Sequence, residues 1–255
     1  MPVIHTLKVW LMIALAAGIL TKDAEYFVKY EAAKQNAAIE AEKADIRKVY
    51  LTFDDGPSTN TDDILDILAA YDVKATFFVV GKEGEWAEEK YKRIVEEGHT
   101  LAMHSYSHDY NKLYGSIEVF AEDIEKQQNY LYEVTGVKSM YFRFPGGSSN
   151  KKADNIRDCI AYLDEQGISY YDWNCSAEDA TKKPLPAEAI VENCMTSMGN
   201  RKNVIILLHD GKSRDTTVEA LPLLIESIQA LENTEILPIS ESTVPVQHIK
   251  REEVN

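Results

Sequence analysis

The sequence predicts an α/β fold in which a parallel sheet closes towards a barrel. Strand-like apolar runs alternate with amphipathic helical segments over most of the chain, and about seven such runs suit a barrel better than an open sheet. Polar residues of catalytic type gather where those runs end, and in parallel α/β folds function collects at the carboxyl ends of the strands.

The strands are read, in order, at Val49 to Phe53, Val73 to Val80, Thr100 to Met103, Met140 to Phe144, Ile168 to Trp173, Val204 to Leu208 and Glu235 to Ile239. Helical faces recur between them, as in Ile64, Leu65 and Leu68, in Ile190, Val191, Cys194 and Met198, and in Leu221, Leu224, Ile225, Ile228 and Leu231. Gly98, Gly136 and Gly167 each fall between a helical run and the next strand, where a left-handed cap is expected. This domain is placed at residues 48–240, and the polar tail of 241–255, with Pro245, is read as loosely attached.

Ahead of the domain, Val9 to Leu20 is uninterrupted apolar sequence between Lys8 and Lys22, the layout of a secretory signal. A span usually needs roughly 20 apolar residues, so residues 1–23 read as an uncleaved signal anchor or a signal peptide, with the membrane tether at 3–20. Residues 24–47 are rich in Ala, Glu, Lys and Gln at helical spacing and read as a polar stalk. The expected location is extracytoplasmic, anchored or secreted.

Composition narrows the partners. A formal charge of −15, from 42 acidic against 27 basic residues, disfavours nucleic acid. The three cysteines, Cys159, Cys175 and Cys194, lack a C-x-x-C pair and read as buried thiols.

The first strand drops into Asp54-Asp55-Gly56-Pro57, placing two adjacent carboxylates at a strand end where a metal or an Arg must relieve their repulsion. His104 and His108 follow the third strand, four residues apart, close enough in a tight turn to share one cation, although two surface histidines would read the same. Asp55 supplies a third ligand and leaves an open position, as in a catalytic zinc-type site, and Asp54 is then free to act as a base. Arg143 with Pro145-Gly146-Gly147 follows the fourth strand, Asp172 and Trp173 lie on the fifth, and His209-Asp210 ends the sixth.

Five motifs in this order resemble the polysaccharide deacetylase family, which includes chitin and peptidoglycan N-acetylglucosamine deacetylases and some acetylxylan esterases. They are Thr52-Phe53-Asp54-Asp55-Gly56-Pro57, His104-x-x-x-His108, Arg143-x-Pro145-x-Gly147, the Asp172-Trp173 segment, and Leu207-Leu208-His209-Asp210. The resemblance implies a distorted barrel of seven β/α units. It makes Asp54 the general base, makes Asp55, His104 and His108 the ligands of a divalent metal, zinc first with cobalt or another ion also suited, and makes His209 the general acid. Arg143 would orient Asp54, a backbone N–H after Pro145 would hold the oxyanion, and Leu207 would line the acetyl pocket. Pro145, Gly146, Trp173 and Leu207 are thus the candidate substrate contacts, with Trp173 either stacking on a sugar or packing in the barrel. Two departures stand out. Phe144 and Gly146 replace a Pro and an aromatic, which implies a groove lacking one wall, and Ser176 and Ala180 hold the places of a usual Asp-x-x-x-Trp. The partner that tunes His209 is therefore open between Asp179 and Asp172.

The function implied is removal of N-acetyl groups from N-acetylglucosamine units of a cell-wall polysaccharide, most readily peptidoglycan, by attack of a metal-bound water, in a monomer. An O-acetyl esterase and a non-catalytic glycan-binding descendant are the competing readings.

Overall fold

The computed structural model describes residues 28–36 and 46–250. The chain divides into two compact units, Met1–Ile46 and Arg47–Asn255. In the first, residues 28–36 are helical, mostly with exposed side chains. The apolar run of residues 9–20 lies outside the described residues. Among the described residues, no helix is long and apolar enough to cross a membrane.

The second unit opens with β1 (Arg47–Asp54), followed by helix α1 (Thr61–Ala70), β2 (Thr76–Val79), α2 (Glu85–Glu96) and β3 (Thr100–Met103). A short α3 (Tyr110–Leu113) and a long α4 (Ile117–Thr135) lead to β4 (Tyr141–Phe142), α5 (Ile156–Glu165), β5 (Ser169–Tyr170) and β6 (Cys175–Ser176). The chain closes through α6 (Ala187–Met198), β7 (Asn203–His209), α7 (Asp215–Gln229) and β8 (Thr234–Ile236). The pairings are parallel in the order β5-β4-β3-β2-β1-β7-β6, with β8 added on β1, so the sheet wraps towards a barrel but leaves β5 and β6 unpaired with one another. Gly98, Gly136 and Gly167 all have positive φ, at 80°, 73° and 69°, as the end of each helix requires.

Strand alternation on β1 sorts the interior. Val49, Leu51 and Phe53 belong to the main core that the helices cover, whereas Tyr50 joins Phe78, Ala102, Tyr171, Ile205 and Ile239 in a second, smaller cluster. Thr52 and Asp54 share the parity of Tyr50 and carry that second face up to the strand's carboxyl end. The three cysteines are buried and free. His99 accepts from the Ala75 N–H at Nδ1 (3.1 Å), and burial pushes its imidazole down to about 4.

Two predicted strands are much shorter than the sequence suggests. The run at 140–144 leaves the ladder after Phe142 because Pro145 has no N–H and Gly146 and Gly147 turn with φ of 78° and 79°. The run at 168–173 stops at Tyr170, since the Asp172 N–H bonds to Val246 O (2.7 Å). β6 is an additional strand, reached from β5 without a helix.

The tail also differs from expectation. The Val246 carbonyl, the His248 N–H (2.7 Å to Asp172 Oδ2) and the Ile249 N–H (3.0 Å to Ser148 Oγ) fasten it to the barrel as far as Ile249. On the tail's side these three bonds are made by backbone groups, so side-chain polarity did not announce them.

Candidate active site

Asp54, Asp55, His104, His108, Arg143 and His209 all stand at or just beyond the carboxyl ends of sheet strands. β1 and β7 pair in full register, which sets Asp54 directly across from His209. The Asp210 N–H continues the ladder to Asp54 O (2.7 Å). Asp210 itself is buried and accepts from Ser58 Oγ (2.6 Å) and Thr61 Oγ1 (2.5 Å), stitching β7 to the loop behind Asp55. Burial, the largest influence on its carboxyl, pushes it up. Gly56 is required there, because a Cβ would collide with the Asp210 carboxylate.

Arg143 is fully buried, and all three of its guanidinium nitrogens donate hydrogen bonds. Its Nη1 donates to Asp54 Oδ1 (2.7 Å) and Thr52 Oγ1 (2.7 Å), Nε to Tyr171 O (2.9 Å) and Nη2 to Asp172 O (3.1 Å). The guanidinium plane lies over the Phe78 ring at 4.1 Å. Arg143 thus holds one oxygen of Asp54 and also serves carbonyls at the seam between β5 and β6, where strand partners are missing. Thr52, part of the first motif but given no role of its own from sequence, lies two residues before Asp54 and so shares its face.

His104 follows β3, and its Nδ1 donates to Arg143 O (2.9 Å), which leaves Nε2 as a lone-pair donor 3.6 Å from Asp55 Oδ1. Burial depresses its pKa and keeps the ring neutral. His108 Nε2 lies 3.2 Å from the same oxygen of Asp55. The loop between the histidines is pinned by Asp123, which accepts from the Tyr106 N–H (2.6 Å) and the Ser107 N–H (2.9 Å). Asp55 sits at φ 73°. Burial would raise its carboxyl, but the His108 hydrogen bond, with the electrostatic influence of the neighbouring His104, His108 and His209 rings, outweighs this and holds it far below the usual range. The ligand atoms of Asp55, His104 and His108 lie within 4.8 Å of one another. One deprotonated carboxylate and two imidazoles, one of them fixed in the neutral ligating tautomer by a carbonyl, fit a divalent cation of the zinc type.

The partner of His209 is Asp179. Its Oδ1 lies 2.7 Å from His209 Nδ1, and its Oδ2 accepts the His209 N–H (2.8 Å) and Thr217 Oγ1 (2.9 Å). Burial works against the imidazolium, yet the Asp179 hydrogen bond and charge, helped by Asp54 and Asp55, raise the pKa of His209. Asp172 is not at His209. It is buried and accepts from Ser148 N (2.8 Å), Ser148 Oγ (2.5 Å) and His248 N, anchoring the Pro-Gly-Gly loop and the tail.

Among the remaining sequence candidates, Pro145 O accepts from Tyr114 Oη (2.9 Å), and the Gly147 N–H is bonded to Phe144 O (2.7 Å). A side chain at Gly147 would be crowded and strained, since a Cβ would meet Trp173 at 3.0 Å and the backbone φ is 79°. Trp173 is half-buried, packs on the second cluster and meets His248 edge-on with centroids 4.9 Å apart. Leu207 is buried on β7. Phe144 stacks on Phe120 in the main core (centroids 5.8 Å) and does not form a groove wall.

The family model for polysaccharide deacetylase matches residues 41–162. Chitooligosaccharide deacetylase of Bradyrhizobium sp. is 31% identical over 196 residues, covering 72% of this chain and 85% of that protein. The chain belongs to the polysaccharide deacetylase family. YheN of Bacillus subtilis is 35% identical and peptidoglycan-N-acetylglucosamine deacetylase of Bacillus cereus is 31% identical, each over 188 residues. The matched segment spans just under two thirds of these Bacillus relatives, 64% and 66%. The catalytic domain of peptidoglycan N-acetylglucosamine deacetylase from Eubacterium rectale superposes with a TM-score of 0.75 at 34% identity, covering 80% of this chain and 93% of that one. The family fold is therefore the α/β barrel-like one described above.

Proposed function

We propose that the protein is a metal-dependent deacetylase that removes N-acetyl groups from N-acetylglucosamine units of a cell-wall glycan, peptidoglycan foremost, outside the cytoplasm. The observation that carries this reading is the placement of two separately oriented proton carriers, Asp54 on Arg143 and His209 on Asp179, at one register level beside the Asp55, His104 and His108 cluster.

Asp55, His104 and His108 would hold the cation. When bound, zinc or cobalt supplies Lewis-acid polarisation of the acetyl carbonyl and a water of lowered pKa. Asp54 has Oδ1 engaged by Arg143, so Oδ2 takes the proton of the attacking water. Among the described residues the Gly146 N–H has no hydrogen-bond partner, and it is the donor offered to the developing oxyanion. Asp179 fixes the proton on His209 Nδ1, so Nε2 delivers its own proton to the departing nitrogen. The C–N bond breaks, and acetate and a free amine leave.

The test is acetate release from N-acetylated chitooligosaccharide and from peptidoglycan by the metal-loaded protein, after chelation and after zinc or cobalt is restored, with Asp54→Asn alongside. Metal-restored release that falls about 10²–10⁴-fold in the variant is expected. Release only from O-acetyl esters would move the reading to an esterase, and no release from any substrate would overturn it.

A further inference from the structure

A cavity of about 420 Å³ opens beside the Asp55, His104 and His108 cluster, and its charge runs against that of the chain. Asp55 and His108 line it together with Lys82, Lys212 and Arg214. In a protein with 42 acidic and 27 basic residues, three cations here face a single lining carboxylate, and that carboxylate is a candidate metal ligand. The adjoining hollow, which shares Gly81, Tyr106 and Ser107, instead balances Lys112 and Lys126 with Glu122 and Asp123. The positive excess is therefore local to the cavity that touches the metal cluster.

These cations are not all used up in holding the fold. Lys82 donates to Asp55 O (3.2 Å) and Pro57 O (2.6 Å), leaving one of its three N–H groups. Arg214 places Nη1 on Asp179 O (2.8 Å) and Thr181 O (3.2 Å), so its Nε and Nη2 edge stays available. Lys212 is exposed and makes no ion pair among the described residues. A neutral acetamido sugar has no charge for such a wall to meet, whereas a carboxylate suits ammonium and guanidinium donors.

We infer that this cavity receives a carboxylate carried by the glycan next to the sugar under attack, so that the enzyme selects an acidic glycan over a neutral one. The inference rests on the deacetylase reading above. In peptidoglycan the carboxylate has two sources of the same chemistry, the lactyl ether on alternate sugars and the stem peptide attached to it.

The experiment compares kcat and KM for metal-loaded protein on neutral chitooligosaccharide, on peptide-free peptidoglycan strands with free lactyl carboxylates, and on strands that keep their stem peptides. Native protein should favour a carboxylated substrate through KM. The ratio of kcat/KM for carboxylated over neutral substrate should fall about three- to fivefold in Lys212→Gln, and further in Lys212→Glu. It should also shrink as salt is raised to about 0.5 M. The strand that keeps the larger preference identifies the source. Equal kcat/KM on all three substrates, or equal losses on neutral and carboxylated glycans as expected if the cations served only product acetate, would overturn the inference. Equilibrium binding of the same glycans to Asp54→Asn, with and without Lys212→Glu, separates the two failures. No acetate from any glycan defeats the deacetylase reading, while unselective binding defeats the carboxylate cavity.

Discussion

At His209 two opposed forces meet. Burial favours the neutral ring, and Asp179 favours the charged one through a 2.7 Å contact, with the net effect a raised pKa. A general acid acts only while protonated, so the raised value extends activity towards higher pH and sets the alkaline limb of the rate profile. Asp179→Asn removes the charge and retains the side-chain size. The expected outcome is an alkaline limb displaced to lower pH, with a larger loss at pH 8 than at pH 6, read from kcat/KM profiles of acetate release. A profile that falls evenly at all pH values would show that Asp179 acts on structure alone. The residues at strand ends were legible in the sequence because each interrupts an apolar run: Asp54, Asp55, His104, Arg143 and His209 all stand where a strand must stop. Asp179 was legible only as one of two choices. It sits in a loop after β6, and no period or spacing ties a loop carboxylate to a histidine on β7. Thr217, Asp123 and Lys82 were missed for the same reason, since each reaches the site from an element whose polar residues look solvated.

At the scale of elements, the alternation on β1 explains how a barrel strand supports both packing and chemistry. One set of side chains enters the helix-covered core, and the other rises from Tyr50 through Thr52 to Asp54. Arg143 joins that inner column to the weakest part of the sheet, where β4 and β5 are each only 2 residues long. Its side chain supplies donors that a longer strand would have supplied from its backbone. Arg143→Met fills similar volume but leaves Asp54 buried without its cation and takes one donor each from the Tyr171 and Asp172 carbonyls. Loss of one partner of a buried pair costs about 3–5 kcal/mol. Urea unfolding should show a midpoint lowered accordingly, together with loss of acetate release. A variant as stable as native would mean that Arg143 contributes only orientation. The sequence suggested an ion pair between Arg143 and Asp54 but gave no sign of the seam, because strand length depends on tertiary pairing that a two-residue run cannot encode.

At the scale of the whole molecule, the alternation of strands and helices and the parallel sheet were legible in apolar periodicity, while the way the barrel closes was not. β5 and β6 end the sheet path without pairing. The chain between them is held by Arg143 from one side and by the C-terminal segment from the other. Val246 O takes the Asp172 N–H (2.7 Å), Gln247 Nε2 donates to Tyr170 O (3.3 Å), Tyr170 Oη donates to Ile249 O (2.5 Å), and Val244 O accepts from Asn203 Nδ2 (3.1 Å) at the start of β7. The segment therefore spans from β5 to β7 across the open seam. It also reaches the site, since Ser148 binds both Asp172 and Ile249 beside the Pro-Gly-Gly loop. Removal of residues 244–255 deletes several partly buried hydrogen bonds, each with a net contribution of roughly 0.5–1.5 kcal/mol. The truncated protein should unfold in urea with stability lower by about 2–4 kcal/mol. Its KM for glycan should rise more than its kcat falls, because the loop carrying Gly146 loses its support while Asp54 and His209 keep theirs. Unchanged stability would show that the tail lies on the barrel without closing it. A collapse of kcat at constant KM would place the effect on the proton carriers instead of the loop.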